Sequence, residues 1–120
     1  MKTIMIQPGG TVSVKEVSSI NVVNAHFKGP IELVMSPHLP SLFVMAVDEE
    51  EKIHGLPKND FGSWLYNSGL HGDSIVGDVF LLKIEQRPDT GCNVVGLTDA
   101  DIRQLADRLK LKLVPTAADA

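Results

Sequence analysis

Ser74 is the residue whose surroundings come nearest to a catalytic motif. It ends a Gly-Asp-Ser tripeptide at 72–74, which is similar to the Gly-Asp-Ser block of one serine hydrolase family. That family has its histidine base downstream of the serine. The four histidines of this chain all precede Ser74: His26, His38, His54 and His71. A nucleophilic serine also typically lies on a strand-to-helix turn, whereas Ser74 leads into a predicted strand. The pattern favours a polar turn, and a small hydrolase using Ser74 is kept as the third functional hypothesis.

The side chains that could bind a metal ion are not spaced as ligands. No two histidines stand three or four residues apart, the spacing that places two imidazoles on one helix face. The carboxylates at 48–51 are consecutive, whereas calcium loops use alternate positions. His71, Asp73 and Asp78 could converge, but solvated loop side chains are the simpler interpretation. Cys92 has no activating neighbour in sequence. We therefore predict no catalytic residue, no metal site and no cofactor.

Two stretches could contact a ligand or a partner. The glycines of Pro-Gly-Gly-Thr at 8–11 could hold a phosphate through backbone N–H groups. The stretch lacks the Lys-Ser/Thr of a P-loop, so a hairpin turn is the simpler interpretation. The second stretch is a helix predicted over residues 60–68, in which Phe61, Trp64 and Leu65 share the buried face. Tyr66 is then either an exposed contact residue or a helix-edge tyrosine that half-covers the core. The candidate binding residues are Gly9, Gly10, Lys58, Asn59, Tyr66 and Asn67.

Short elements separated by turns position these residues in the first half of the chain. Residues 2–7 and the first part of 11–17 predict two strands paired around the glycines. Ser18 and Ser19 can cap a short helix over 20–27. Residues 31–36 predict a strand. The apolar run at 42–47 is continuous rather than alternating, which predicts a strand covered on both faces.

The second half of the chain follows the same pattern. Asn59 can cap the helix over 60–68, and Gly69 can end it in the left-handed conformation. Residues 74–85 predict a long strand with Gly77 as a bulge, and residues 93–97 a short one. The clearest helix begins after Thr98, which can act as its N-cap and is followed by acidic residues in the first turn. Its apolar residues form one stripe: Ile102, Leu105, Ala106 and Leu109.

These elements predict an α+β fold. About five to six strands, two to three short helices and hairpin-length connections indicate a mainly antiparallel sheet. We expect a single domain over residues 1–114 and a flexible C-terminal tail over 115–120.

Length and composition exclude several classes of protein. The 120 residues suit one domain, and 43% apolar residues can form a core without disulfides or a metal ion. With 11 basic and 15 acidic residues the net charge is −4, which disfavours nucleic-acid binding. No apolar stretch suits a transmembrane helix or a signal peptide. A single cysteine permits no intrachain disulfide. We expect a cytoplasmic protein with no membrane partner.

Three blocks of sequence resemble a known family. They are Ile-Gln-Pro-Gly at 6–9, Val-Asp-Glu-Glu-Glu-Lys-Ile-His-Gly-Leu-Pro-Lys-Asn at 47–59, and Ile-Val-Gly-Asp-Val-Phe-Leu at 75–81. A Leu-Thr-Asp-Ala-Asp-Ile helix start at 97–102 follows them. In order and spacing they resemble a small uncharacterised family common in phages and mobile elements, catalogued as domain of unknown function three-eight-four-six. The resemblance covers nearly the whole chain. It implies a mobile-element origin and a compact α+β domain, and no established activity.

Three functional hypotheses follow. The first is a non-enzymatic accessory binding protein of a phage or mobile genetic element, which contacts a host or viral protein in the host cytoplasm, with a homodimer as one form. The second is a small-ligand binder, such as a sponge for a nucleotide signal in anti-defence. The third is the Ser74 hydrolase.

Overall fold

The computed structural model describes residues 1–27, 31–48, 55–67, 74–87 and 91–115, which form seven strands and three helices. The predicted α+β class is confirmed. In chain order the elements are β1 (Lys2–Ile6), β2 (Val12–Glu16), α1 (Ile20–His26), β3 (Ile31–Val34), β4 (Phe43–Asp48), α2 (Asp60–Tyr66), β5 (Val79–Arg87), β6 (Gly91–Val95), α3 (Asp99–Leu109) and β7 (Leu113–Pro115). None of these helices is long and apolar enough to cross a membrane.

All seven strands belong to one sheet, in the order β3-β4-β5-β1-β2-β7 with β6 paired to β5. The pair β2–β7 is parallel and the other pairs are antiparallel, as the mainly antiparallel prediction required. Strand β5 is long enough to pair with two different strands on the side opposite to β4. Its first residues pair with β1 and its last residues with β6. The Leu97 N–H donates to the Lys2 carbonyl at 2.8 Å, so β6 continues the line of β1.

Helices cover both faces of the sheet. Met45 of β4 belongs to a core cluster with Leu65 of α2 and Leu105 of α3. Its neighbour Val44 faces the other way and belongs to a second cluster with Val23 of α1. All six residues of β4 are buried, which confirms that the continuous apolar run is covered on both faces.

The predicted helix starts are confirmed. Ser19, Asn59 and Thr98 are the N-caps of α1, α2 and α3, and each side-chain oxygen accepts a hydrogen bond from a backbone N–H in the first turn. At α3 the side chain of Asp101 also accepts from the backbone N–H of Thr98, which completes a capping box.

Three local predictions were wrong or incomplete. The left-handed residue that ends α2 is Asn67, with φ 63°, two positions before Gly69, which lies outside the described residues. Gly77 is not a bulge inside a strand, because it adopts φ 75° and its N–H donates to the Pro57 carbonyl at 2.7 Å. Strand β5 therefore begins at Val79 rather than at Ser74. Strand β7 was not predicted, and the boundary between domain and tail stays a prediction.

Candidate functional site

A cavity of about 210 Å³ lies at one end of the sheet. Pro8 follows β1, Asp48 ends β4 and Asp78 precedes β5. Because β1 and β4 both run antiparallel to β5, these three points meet at the same end. We call the cavity the motif pocket and define it by its lining residues: Pro8, His26, Phe27, Asp48, Leu56, Pro57, Gly77 and Asp78.

The motif pocket is where the three resembling sequence blocks come together. The first block supplies Pro8, and the second supplies Asp48 and the Leu-Pro pair at 56–57. The third block supplies Gly77 and Asp78. The last residue of α1 and its C-cap, outside all three blocks, complete the wall. A pattern dispersed over more than seventy residues of sequence thus describes one local structure.

Asn59 ties the blocks together behind this wall. Its side-chain Nδ2 donates to the carbonyl oxygens of Ile6 at 3.0 Å and Gly77 at 2.8 Å, while Oδ1 accepts from the Gly62 N–H at 2.8 Å. The Asn59 backbone N–H donates to the Ile75 carbonyl at 2.8 Å. The side chain is fully buried. Asn59, predicted as a ligand or partner contact, therefore bonds to the protein's own backbone and positions the end of β1 against the turn before β5.

The polar feature of the motif pocket is a histidine–aspartate pair. Nε2 of His26 lies 2.7 Å from Oδ2 of Asp78. The imidazole ring packs edge-on against Phe27 and Phe80, with ring centroids 5.4 and 5.0 Å apart. Aromatic contacts on the ring and a carboxylate on one nitrogen hold the imidazole in one orientation.

The sequence did not predict this pair. It grouped Asp78 with His71 and Asp73, both of which lie outside the described residues. His26 and Asp78 are 52 positions apart, one at the end of a helix and one before a strand, so no local spacing connects them. The one feature of the sequence that pointed to Asp78 was its position in the third block, the segment at 75–81 that resembles the family.

An aspartate-oriented imidazole could serve as a general base if a nucleophile lay beside it. Among the described residues, no hydrogen bond joins His26 or His38 to Ser74. His54 and His71 lie outside the described residues. The hydrolase hypothesis therefore stays a prediction.

The other predicted contact residues are dispersed around the fold. Gly9 and Gly10 form the exposed turn after Pro8, with φ 92° at Gly10 and open space around both. Lys58 and Asn67 flank α2 at opposite ends, and the Lys58 ammonium lies 3.7 Å from the exposed Asp60 carboxylate. The glycines thus adjoin the motif pocket, whereas Asn67 is a helix cap.

One aromatic residue of α2 lies differently from the prediction. The placement of Trp64 on the buried face was wrong, because Trp64 is 50% exposed and stacks on His38 with ring centroids 3.8 Å apart. Tyr66 is half-buried against the core, as the alternative of a helix-edge tyrosine described it. The reason for the exposure of Trp64 is Gly62, where a Cβ would lie 2.9 Å from the Val79 side chain. This close approach centres the buried stripe of α2 on Gly62 and Leu65 and leaves Trp64 at the rim.

An ion pair with a buried aspartate lies at the start of α3. The Lys83 ammonium lies 3.3 Å from Oδ1 of Asp101. Burial raises the pKa of the Asp101 carboxyl, but hydrogen bonds from Thr98 and the nearby Lys83 ammonium outweigh it, so that the pKa is lowered overall. These contacts stabilise the helix start.

Comparison with known proteins adds one match. The model of a family described as domain of unknown function, DUF3846, matches residues 1–110. No curated protein and no solved structure matches the chain.

Proposed function

We propose, since the chain belongs to the DUF3846 family, that it is a non-enzymatic accessory binding protein of a phage or mobile genetic element. In this proposal it acts in the host cytoplasm through protein contacts, and the motif pocket receives one side chain of the partner. The observation that carries the proposal is the convergence of three separated sequence blocks on one cavity. A cavity with apolar walls and a few fixed polar groups is the usual form of a recognition site.

The size of the motif pocket favours a side chain as its occupant. Its volume of about 210 Å³ lies below the roughly 300–1,000 Å³ typical of small-molecule sites. Anchor side chains inserted into such pockets supply much of the affinity of protein interfaces.

A nucleotide signal, the second hypothesis, fits this pocket less well. Its described lining residues include two aspartates and neither lysine nor arginine. Phosphate groups are usually held by basic side chains or by backbone N–H groups at helix starts. The volume is also small for a nucleotide.

The exposed stack of Trp64 on His38 supports a second contact surface. The Arg108 side chain donates to the His38 carbonyl at 3.1 Å. Tryptophan and arginine are enriched at protein interfaces. This surface is our candidate for contact between two copies of the chain.

Chemical-shift mapping of the ¹⁵N-labelled protein against a library of small fragments tests the role of the motif pocket. We expect perturbed amides at His26, Gly77 and Asp78, with those of Gln86 and Val95 as reference positions in a different cavity. The proposal fails if no fragment perturbs the pocket amides, or if the protein turns over nucleotides or esters in an activity screen.

Sedimentation velocity of wild type and Trp64→Ala tests the dimer. We expect the wild type to associate with rising concentration and the variant to stay monomeric.

A further inference from the structure

We propose that the side chain received by the motif pocket is basic, an arginine or lysine whose cationic head contacts Asp78. This inference rests on the proposed function and names the chemistry of the partner at the same site.

The charge of the pocket is the first reason. One carboxylate oxygen of Asp78, Oδ2, is hydrogen-bonded to Nε2 of His26. The other oxygen, Oδ1, makes no hydrogen bond to the described part of the chain. The Asp78 side chain is 25% exposed, so a guest can reach it. An incoming ammonium or guanidinium would form a charge-assisted hydrogen bond with this carboxylate, whereas an anion would be repelled. Asp48 also lines the cavity, but it already interacts with other groups of the protein.

The apolar walls are the second reason. Pro8, Leu56 and Pro57 line the cavity beside the polar pair. Arginine and lysine carry long aliphatic stems that pack on apolar surface while the charged head reaches a polar partner. Phe27 also lines the cavity, and the face of an aromatic ring attracts a cation. A guest with an apolar stem and a cationic head matches both parts of the lining.

The rigidity of the acceptor is the third reason. The imidazole of His26 is packed against Phe27 and Phe80 and holds Oδ2 of Asp78 at 2.7 Å. The carboxylate is therefore oriented before the guest arrives, and less side-chain entropy is lost on binding. A planar guanidinium benefits more than an ammonium from such a fixed acceptor, so we expect arginine to bind more tightly than lysine.

The test is a titration of the ¹⁵N-labelled full chain with four probes: N-acetyl-argininamide, N-acetyl-lysinamide, N-acetyl-citrullinamide and AMP. Citrulline has nearly the shape of arginine without the charge. We expect shifts at His26, Gly77 and Asp78 with the arginine probe, and an affinity about tenfold lower for the citrulline probe. Asp78→Asn should reduce arginine affinity by a similar factor. Asp60→Asn, which changes an exposed carboxylate paired only with Lys58 among the described residues, should leave it unchanged.

Each outcome decides the matter. Equal binding of the arginine and citrulline probes overturns the basic guest and leaves the proposed binding function standing. Tighter binding of AMP at the same amides overturns the basic guest and also the proposed protein contact, in favour of the nucleotide-signal hypothesis. Failure of every probe to perturb the pocket, in an experiment where fragments also fail, overturns both. Because the arginine–citrulline comparison uses wild-type protein, it holds even if Asp78→Asn does not fold.

Discussion

The side-chain amide of Asn59 donates a 3.0 Å hydrogen bond to the carbonyl oxygen of Ile6, 53 positions earlier in the chain. The same amide group bonds the Gly77 carbonyl, and the side-chain oxygen caps α2. One buried side chain therefore joins a strand end, a helix start and a turn. The motif pocket lies against this junction, because Pro8 and Asp78 follow directly from the segments that Asn59 holds.

Replacement of Asn59 should be among the most destabilising single changes in this chain. Asn59→Ala removes the cap of α2 and leaves the buried carbonyls of Ile6 and Gly77 without their donor, so we expect a loss of about 3 kcal/mol in the free energy of unfolding. Asn59→Asp keeps an acceptor for the cap but removes both donors, and should cost nearly as much. Urea denaturation measures both. Lys58→Ala, at an exposed neighbour, is the control and should change stability by less than about 0.5 kcal/mol. A small effect of Asn59→Asp would show that the cap alone matters.

Substitution of two glycines with positive φ allows the cost of backbone strain to be measured apart from the cost of a steric contact. Gly55 has φ 64° with open space where a Cβ would lie, so Gly55→Ala should cost about 1 kcal/mol from backbone strain alone. Gly77 has φ 75°, and its Cβ would lie 2.8 Å from Cδ1 of Leu56 inside the pocket wall. Gly77→Ala should therefore cost about 2 kcal/mol, measured by thermal or urea unfolding. Equal effects of the two substitutions would mean that Leu56 moves aside freely.

The exposed position of Trp64 leads to a comparison within α2. Trp64→Ala removes a half-exposed ring stacked on His38, and we expect a loss of about 1 kcal/mol or less. Leu65→Ala leaves a cavity in place of a fully buried side chain and should lower the free energy of unfolding by about 3 kcal/mol. Chemical denaturation followed by circular dichroism compares the two. If Trp64→Ala proves as costly as Leu65→Ala, the tryptophan is part of the core.

The start of α3 should be sensitive to acid through Asp101. Because the folded-state pKa of this carboxyl is lowered from its ordinary value of 3.8, its ionised form stabilises the fold. That contribution is complete well above the ordinary pKa, at about pH 5 and higher, and is lost as the pH falls through the lowered pKa. Asp101→Asn keeps an oxygen that can accept from the Thr98 N–H but removes the charge, so it should cost about 1 kcal/mol at pH 7 through a weaker cap and the loss of the Lys83 ion pair.

The stability difference between wild type and Asp101→Asn should shrink as the pH is lowered from 5 to 2. Urea denaturation at a series of pH values measures it. Asp107→Asn, at an exposed position of the same helix, is the control and should show little difference at any pH. A constant difference across this range would indicate that Asp101 acts through packing rather than charge.

Local signals in the sequence predicted most of the secondary structure. The three N-caps, the doubly covered β4 and the amphipathic α3 each depend on residues within about four positions of one another, where propensity and hydrogen bonding decide the outcome. The errors arose where distant contacts overrode these signals. Gly77 lies in a turn rather than in a strand because its N–H donates to the carbonyl oxygen of Pro57. Trp64 is exposed because Gly62, which has no Cβ, lets α2 approach Val79 closely on the opposite side.

The sequence by itself determined the α+β class, the helix starts and the membership of a family, since these depend on patterns along the chain. Only the tertiary structure decided that the three family-like blocks surround one pocket, that Asn59 is a structural tie, and that His26 meets Asp78. The physical reason is that these contacts join residues about fifty positions apart. They exist because antiparallel pairing brings the ends of β1 and β4 to the start of β5, and no spacing within one segment encodes that meeting.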